Sequence, residues 1–188
     1  MKKQLLHSGW QLTTVGKNDT IPATVPGSVY NDLLNAGRME DPYWRDNEMK
    51  ALALMDEDYR YNTTFDVNAD VLNSERVLLR CEGLDTIADI VLNGEKIASV
   101  CNMHRTWEFD VKDSLKTTGN TLEIVFHSPT KYIKEQDKIC HAGGSDDAMV
   151  GFPNLRKAHC MFGWDWGPRL PDAGIWRDIC LLYTSPSP

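Results

Sequence analysis

Short stretches in the middle of the chain alternate between apolar and polar residues, which is the pattern of half-buried strands. Residues 59–65, 107–111 and 121–126 alternate in this way, and residues 77–81 form a short apolar run bounded by Gly83. These stretches recur at short spacing and are separated by turn-forming residues. The arrangement predicts an all-β sandwich.

An Asn-Gly pair at residues 93–94 stands between two apolar runs, residues 89–92 and 96–98. Asn and Gly both tolerate the positive φ angles that a two-residue hairpin turn requires. The pair therefore predicts a β-hairpin. At the two ends of the chain, residues 4–12 and residues 174–182 are each interpreted as one strand, the first and the last of the fold.

Two segments carry helix signals. Ser28 can cap a helix over residues 29–36, whose apolar residues recur at helical spacing, and Gly37 suits the position that follows. Residues 131–140 are interpreted as one polar helix. The sequence thus predicts one or two short helices beside the strands.

The remaining segments are predicted to be irregular. Residues 38–58 have no clean period and are interpreted as a long ordered loop, which is either a functional loop or a polar wrap over the sheet edge. Residues 68–74 are predicted to be a turn region. Residues 141–154 are rich in Gly, Ser and Asp and are predicted to be a loop.

Charge and hydropathy limit the partners of the 188-residue chain. Its net charge of −7 argues against a nucleic-acid partner. No apolar run approaches the ~20 residues that span a bilayer, so no membrane partner is expected. After the first two lysines only Leu5 and Leu6 form an apolar segment, too short for a signal sequence, and a cytoplasmic location is expected.

The five cysteines are widely spaced and lack a C-x-x-C pattern. An odd number with such spacing argues against a disulfide framework or a zinc site. In the pairs Cys140-His141 and His159-Cys160, neighbouring side chains on a strand would point to opposite faces, so neither pair chelates readily. We expect reduced cysteines, no metal and no cofactor.

The stretch with the most distinctive chemistry is Gly163-Trp164-Asp165-Trp166-Gly167-Pro168. Glycine and proline predict a tight, stiff, exposed loop and not the interior of a strand. An indole face and a carboxylate are what a sugar ring needs, a surface to stack on and an acceptor for its hydroxyls. The alternative interpretation is a structural corner in which the aspartate caps its own turn.

With this stretch and several others, the chain resembles the N-terminal domain of the β-mannosidases of glycoside hydrolase family 2. The string Gly-Trp-Asp-Trp-Gly-Pro is specific for that branch, and weaker pieces cover almost the whole chain in the same order. They are Val25-Pro26-Gly27-Ser28-Val29-Tyr30, Asp32-Leu33-Leu34, Asp41-Pro42-Tyr43, Asn47-Glu48, Gly83-Leu84-Asp85-Thr86, Leu92-Asn93-Gly94, Asn102-Met103-His104-Arg105, Arg156-Lys157 and Gly174-Ile175-Trp176-Arg177. The chain departs from the family pattern at Tyr59, where a Trp is expected.

The resemblance implies a galactose-binding-like jelly-roll β-sandwich over residues 1–182. The Ser/Pro-rich residues 183–188 are interpreted from their composition as a linker or an artefactual tail. The resemblance also implies retaining hydrolysis of terminal β-linked mannose by two glutamates of a (β/α)₈ barrel, which this chain lacks. The chain is therefore expected to be a domain without catalytic residues, whose partners are a carbohydrate and the missing barrel.

By the same resemblance, Trp164 and Asp165 form one wall of the mannose pocket, and Asn47 is a weaker candidate contact. The loop that carries Trp164 and Asp165 is expected to be supported by Gly163, Trp166, Gly167, Pro168 and Arg156, with Trp166 acting by packing and Arg156 by a pair with a carboxylate. Two other hypotheses stay open: a free-standing carbohydrate-binding module, and a structural domain that buttresses the barrel.

Overall fold

The computed structural model describes residues 1–184. The strands are β1 Lys2–Leu5, β2 Gln11–Thr14, β3 Ile21–Pro22, β4 Tyr59–Phe65, β5 Val77–Cys81, β6 Leu84–Asp85, β7 Ile87–Leu92, β8 Glu95–Cys101, β9 Trp107–Asp110, β10 Asn120–Phe126, β11 Phe162–Trp164, β12 Gly167–Arg169, β13 Gly174–Ile175 and β14 Ile179–Tyr183. The α-helices are α1 Val29–Asn35, α2 Asn47–Leu54, α3 Ala69–Leu72 and α4 Pro129–Ile139, and short 3₁₀ turns cover Lys112–Ser114, Phe152–Asn154 and His159–Met161.

Two antiparallel sheets enclose the main core. The strand order is β1-β14-β5-β9 in the four-stranded sheet and β3-β2-β4-β10-β7-β8 in the six-stranded sheet. Leu79 and Leu181 from the first sheet and Leu12, Tyr61 and Ile124 from the second are all at most 1% exposed and belong to one hydrophobic cluster. The prediction of an all-β sandwich is confirmed.

Locally encoded elements agree with the sequence prediction. Buried and exposed residues alternate along β4 and β10, which pair antiparallel. The β7–β8 hairpin turns at Asn93 and Gly94, whose φ angles of 53° and 85° are those the turn requires. Helix α1 begins after Ser28, whose side chain accepts a hydrogen bond from the N–H of Asn31 at 3.4 Å.

The two predicted terminal strands are each broken. The first becomes β1 and β2, because the chain turns at Gly9 with a φ of 73°, and Trp10 is buried beside that turn rather than on a strand. The last becomes β13, which pairs with β6, and β14, which lies between β1 and β5. Apolar content alone did not reveal that the ends of each stretch belong to different sheets.

The predicted loop over residues 38–58 contains helix α2, and the predicted turn over residues 68–74 contains the single helical turn α3. Residues 49–54 are Met, Lys, Ala, Leu, Ala and Leu, which all have high helix propensity. The helix propensity of these residues therefore indicated a helix, although their apolar residues do not recur at helical spacing. Strand β14 extends to Tyr183, one residue into the predicted tail, and residues 185–188 lie outside the described residues.

His127 bridges two carboxylates at one end of the six-stranded sheet. Its ring nitrogens lie 3.1 Å from Asp58 and 3.2 Å from Asp89. Partial burial works against the charged ring, but the two carboxylates outweigh it and raise the pKa of His127 above its ordinary value. A raised folded-state pKa contributes stability that is fully present below the unfolded pKa and is lost as pH rises through the folded pKa.

We therefore expect His127→Gln to lower the melting temperature more at about pH 5.5 than at about pH 8.5. The effect is modest because the ring is 39% exposed and solvent screens it. Thermal melts of both proteins across this range measure it, with His104→Gln as the control, an exposed histidine without an ion pair among residues 1–184. A gap that widens as pH rises would contradict the assignment.

Among the described residues, no helix has both the length and the apolar character needed to cross a membrane.

Candidate functional site

The Gly-Trp-Asp-Trp-Gly-Pro stretch forms a β-hairpin, not the loop that the sequence predicted. Strands β11 and β12 pair antiparallel with Trp164 opposite Gly167, so Asp165 and Trp166 make a two-residue turn at the tip. The sequence predicted that glycine and proline alone would keep the stretch rigid. In the structure, backbone pairing between two short strands also holds the turn. We call this unit, residues 162–169, the tip hairpin.

The tip of this hairpin is open to solvent. Trp164 is 45% exposed and Trp166 is 73% exposed, and their ring centroids lie 6.5 Å apart at 45°. Asp165 is exposed, and its carboxylate accepts no hydrogen bond from residues 1–184. The sequence predicted that Trp166 would support this stretch by packing. The structure contradicts that prediction, because most of the Trp166 side chain faces solvent.

The root of the tip hairpin rests on a second, smaller core. Phe162 is fully buried there, and its carbonyl accepts a hydrogen bond from the N–H of Met149 at 3.0 Å. The buried members of this core are Ile133, Ala148, Phe152, Leu155 and Phe162. Helix α4 and the segment after it thus form a platform from which the exposed tip of the hairpin projects.

Gly163 is required within β11, where the Arg169 side chain of β12 packs against its backbone. Its φ angle is 95°, and a Cβ atom there would lie 2.4 Å from Cγ of Arg169. Any other residue would be strained and would displace the Arg169 side chain. Gly167 has open space around its Cα, and Pro168 follows it within β12.

A buried ion pair closes the base of the hairpin segment. The Lys157 side chain is fully buried, its ammonium group pairs with the Asp85 carboxylate, and it donates a hydrogen bond of 2.6 Å to the Asp172 carbonyl. Lys157 precedes the tip hairpin and Asp172 follows it, so one amine joins both ends of the excursion. Asp85 ties this point to strand β6 of the sandwich.

The Asp172 side chain extends the same base to helix α1. Its Oδ1 accepts hydrogen bonds from the N–H groups of Tyr30 at 3.0 Å and Ala173 at 2.8 Å. Burial raises the pKa of Asp172 to about 6, although these bonds and one from Ser28 oppose the shift. The hairpin base is therefore fixed to both the sheet and the first helix.

Two predicted residues occupy other roles. Asn47 is only 7% exposed, and its side-chain amide donates to the carbonyl of Asp41 at 2.9 Å, so it holds the segment before α2. Arg156 is exposed, and its side chain forms no ion pair within residues 1–184. Its backbone carbonyl accepts a hydrogen bond from the N–H of Met103. The expected arginine–carboxylate pair is formed by Arg169 with Glu48.

Sequence reasoning thus missed the residues that brace the hairpin: Glu48, Asp85, Lys157, Arg169 and Asp172. Asp85 and Lys157 are separated by 72 residues, and Glu48 and Arg169 by 121. Three of the five stood inside the strings that carried the resemblance. Their presence there signalled importance, but no local pattern indicated which residues would meet.

Two cavities flank the tip hairpin. One of about 440 Å³ lies between Trp166 and Pro168 on the hairpin and Tyr30 on α1. The other, of about 370 Å³, is lined by Phe152, His159, Cys160, Trp164 and Trp166. Asp165 lines neither of them. The carboxylate thus projects beyond the space that the domain itself encloses.

The five cysteines are free, with Cys81 and Cys180 buried. Within residues 1–184, no three His, Cys, Asp or Glu side chains come together as metal ligands would.

Comparison with known proteins places this arrangement among relatives. A family described as glycosyl hydrolase 2 galactose-binding domain-like matches residues 10–177. The β-mannosidase of Bos taurus is 32% identical over 93% of this chain and 21% of its own length. β-Mannosidase B of Aspergillus terreus is 35% identical over 97% of the chain and 22% of its own length.

Solved structures give the same picture. The crystal structure of β-D-mannosidase from Dictyoglomus thermophilum is 36% identical and superposes with a TM-score of 0.93, over 98% of this chain and 23% of that one. The exo-chitosanase CsxA of Amycolatopsis orientalis is 18% identical with a TM-score of 0.71, which shows a shared fold. The chain spans about a fifth of the length of the relatives it matches.

The fold and its matches define a galactose-binding-like β-sandwich of the kind found in glycoside hydrolases. The chain belongs to the glycosyl hydrolase 2 galactose-binding-like family, and the family match covers most of its length.

Proposed function

We propose that this chain supplies one wall of the sugar pocket of a β-mannosidase-like retaining glycoside hydrolase, which removes terminal β-linked mannose. The observation that carries the proposal is the tip hairpin, which exposes the Asp165 carboxylate, without a hydrogen-bond partner among residues 1–184, and the indoles of the two residues on either side of it in sequence. Similarity to β-mannosidases over at least 93% of the chain supports the substrate class.

The chemistry of the tip suits a sugar. Trp164 offers a flat apolar face to a pyranose ring, and Asp165 offers two acceptor oxygens to its hydroxyls. A site built around hydroxyl hydrogen bonds discriminates strongly, because a sugar with the wrong configuration leaves the carboxylate unpaired. We propose Trp164 and Asp165 as substrate contacts and Asn47 as a residue that shapes the neighbouring segment.

The pocket must be completed by another part of the enzyme. A sugar site normally encloses most of its ligand, whereas Asp165 lines no cavity of this domain. We place the two catalytic carboxyl groups on the barrel that the family resemblance implies, about 5–5.5 Å apart as retention requires. The partners are then a terminal β-mannoside and that barrel.

A free-standing carbohydrate-binding module is the alternative, and the exposed indoles favour it as well. The two proposals differ in the affinity of the isolated chain. A module binds mannose or mannobiose measurably by itself, whereas one wall of a pocket binds almost none. Titration calorimetry with both sugars separates them.

The decisive experiment compares residues 1–188 with the protein expressed from its complete reading frame, using an aryl β-mannoside as substrate. We expect hydrolysis by the complete protein, with a preference over the corresponding β-glucoside, and none above background by the isolated chain. Turnover by the purified chain that is lost on mutation would overturn the proposal. So would a folded complete protein that does not cleave the mannoside.

A further inference from the structure

Arg169 of the tip hairpin contacts two residues of helix α2: a carboxylate oxygen of Glu48, and Sδ of Met49, which lies 3.6 Å from Nη2. Oε1 of Glu48 accepts a hydrogen bond from Nε of Arg169 at 2.6 Å and another from the Arg169 backbone N–H at 3.0 Å. The side chains are 26% and 41% exposed, so the pair is partly shielded from water. Charge-assisted hydrogen bonds of this kind are short and directional.

This contact acts at the hairpin itself. Arg169 lies opposite Phe162 in the β11–β12 pairing, at the root of the hairpin where β12 ends. The Arg169 stem also lies across Gly163, where only a glycine leaves room for it. Glu48 therefore holds β12 directly, through the Arg169 backbone N–H, and holds the Arg169 stem that packs against Gly163 of β11.

The other restraints that we describe act on β11 and on the base of the hairpin. Met149 holds Phe162 on the platform side, and the N–H of Leu170 bonds the carbonyl of Met161 within the hairpin segment. Lys157 acts at the base, several residues from the tip. Glu48 instead holds β12, from helix α2.

The surroundings of Glu48 favour the ionised form of its carboxyl group. Partial burial works against ionisation of Glu48, but the Arg169 N–H, its guanidinium hydrogen bond and its charge together hold the pKa of the carboxyl below its ordinary value.

We propose that Glu48 is a positioning residue for the sugar site: through Arg169 it sets the angle of the tip hairpin, and with it the place of the Asp165 carboxylate. This inference rests on the proposed function. It assigns to α2 a share in substrate recognition through a residue that acts on the hairpin and not on the sugar. A displacement of about 1 Å at a reacting or binding group can lower the rate about a hundredfold.

The test uses the complete protein and an aryl β-mannoside. We expect Glu48→Ala to lower kcat/KM about ten- to a hundredfold, with Glu48→Gln in between, since the amide oxygen still accepts both hydrogen bonds. Glu40→Ala is the matched control, because Glu40 forms an exposed ion pair with Lys50 of the same helix and does not touch the hairpin. It should leave kcat/KM unchanged.

A double-mutant cycle distinguishes positioning from general damage. If Glu48 acts through Asp165, Glu48→Ala should have little further effect in an Asp165→Asn background. Additive losses, or a Glu48→Ala protein with wild-type kcat/KM, would overturn the inference. If the wild-type complete protein had no mannosidase activity, that result would instead count against the proposed function. The two failures are therefore distinguishable.

Discussion

Replacing Lys157 by methionine is expected to lower the free energy of unfolding of this chain by about 3–5 kcal/mol. Methionine matches the length of the lysine stem but leaves the Asp85 carboxylate, which is 5% exposed, without its countercharge. The Asp172 carbonyl also loses its donor. An uncompensated charge in a buried site is among the most destabilising single changes.

Thermal or urea unfolding of residues 1–188 measures this effect. For a domain of this size the loss corresponds to a fall of about 6–20 °C in melting temperature. Lys17→Met is the control, since Lys17 forms an exposed ion pair with Glu57 at 3.0 Å and such pairs contribute about 0–1 kcal/mol.

A second variant tests the cause. Lys157→Met combined with Asp85→Leu removes both charges and should be more stable than Lys157→Met alone, because a matched apolar pair carries no desolvation penalty. A single variant that melts within about 3 °C of the wild type would show that the ion pair does not brace the fold.

Elements whose signal is local could be predicted from the sequence. Alternation marked β4 and β10 because each has one face on the core, and the Asn93-Gly94 pair marked its hairpin because few residues adopt those φ angles. Ser28 marked the start of α1 for a similar reason, since an uncapped helix leaves N–H groups without partners.

Elements that depend on distant partners were missed or misjudged. Helix α2 has no clean amphipathic period, and it is stabilised by contacts such as the one between Glu48 and Arg169, 121 residues away. The Gly163–Pro168 stretch was recognised as important but predicted as a loop, because strands of three residues leave too little pattern to detect.

The same limit applies to the candidate site. Trp164 and Asp165 stood out by composition, since two indoles around a carboxylate are an uncommon combination. Arg156 was assigned the role that Arg169 performs, because residue type shows that a carboxylate pair is possible but not which arginine faces the carboxylate. Such pairings follow from tertiary geometry and could not be predicted from spacing.

In the complete protein, the sugar contact that we propose for Asp165 predicts that Asp165→Asn lowers kcat/KM about ten- to a hundredfold. The change keeps the shape of the side chain, removes its charge and replaces one acceptor oxygen with a donor. A hydrogen bond to a charged group contributes about 1.5–3 kcal/mol, which corresponds to that factor. If the bond tightens as the sugar ring approaches its oxocarbenium-like transition state, kcat falls as well.

The stability of the protein should not change with it. Asp165 is exposed and its side chain forms no hydrogen bond or ion pair within residues 1–184, so its replacement removes none from the folded domain. The alternative role, an aspartate that caps its own turn, predicts the opposite combination: a lower melting temperature and near-normal kinetics in the protein that remains folded.

The most direct test of the account is therefore kcat/KM for an aryl β-mannoside, measured with the melting temperature on the same preparation of the complete Asp165→Asn enzyme. We predict a loss of about ten- to a hundredfold in kcat/KM at an unchanged melting temperature. Wild-type kcat/KM in that variant would contradict the account and remove Asp165 from the sugar site.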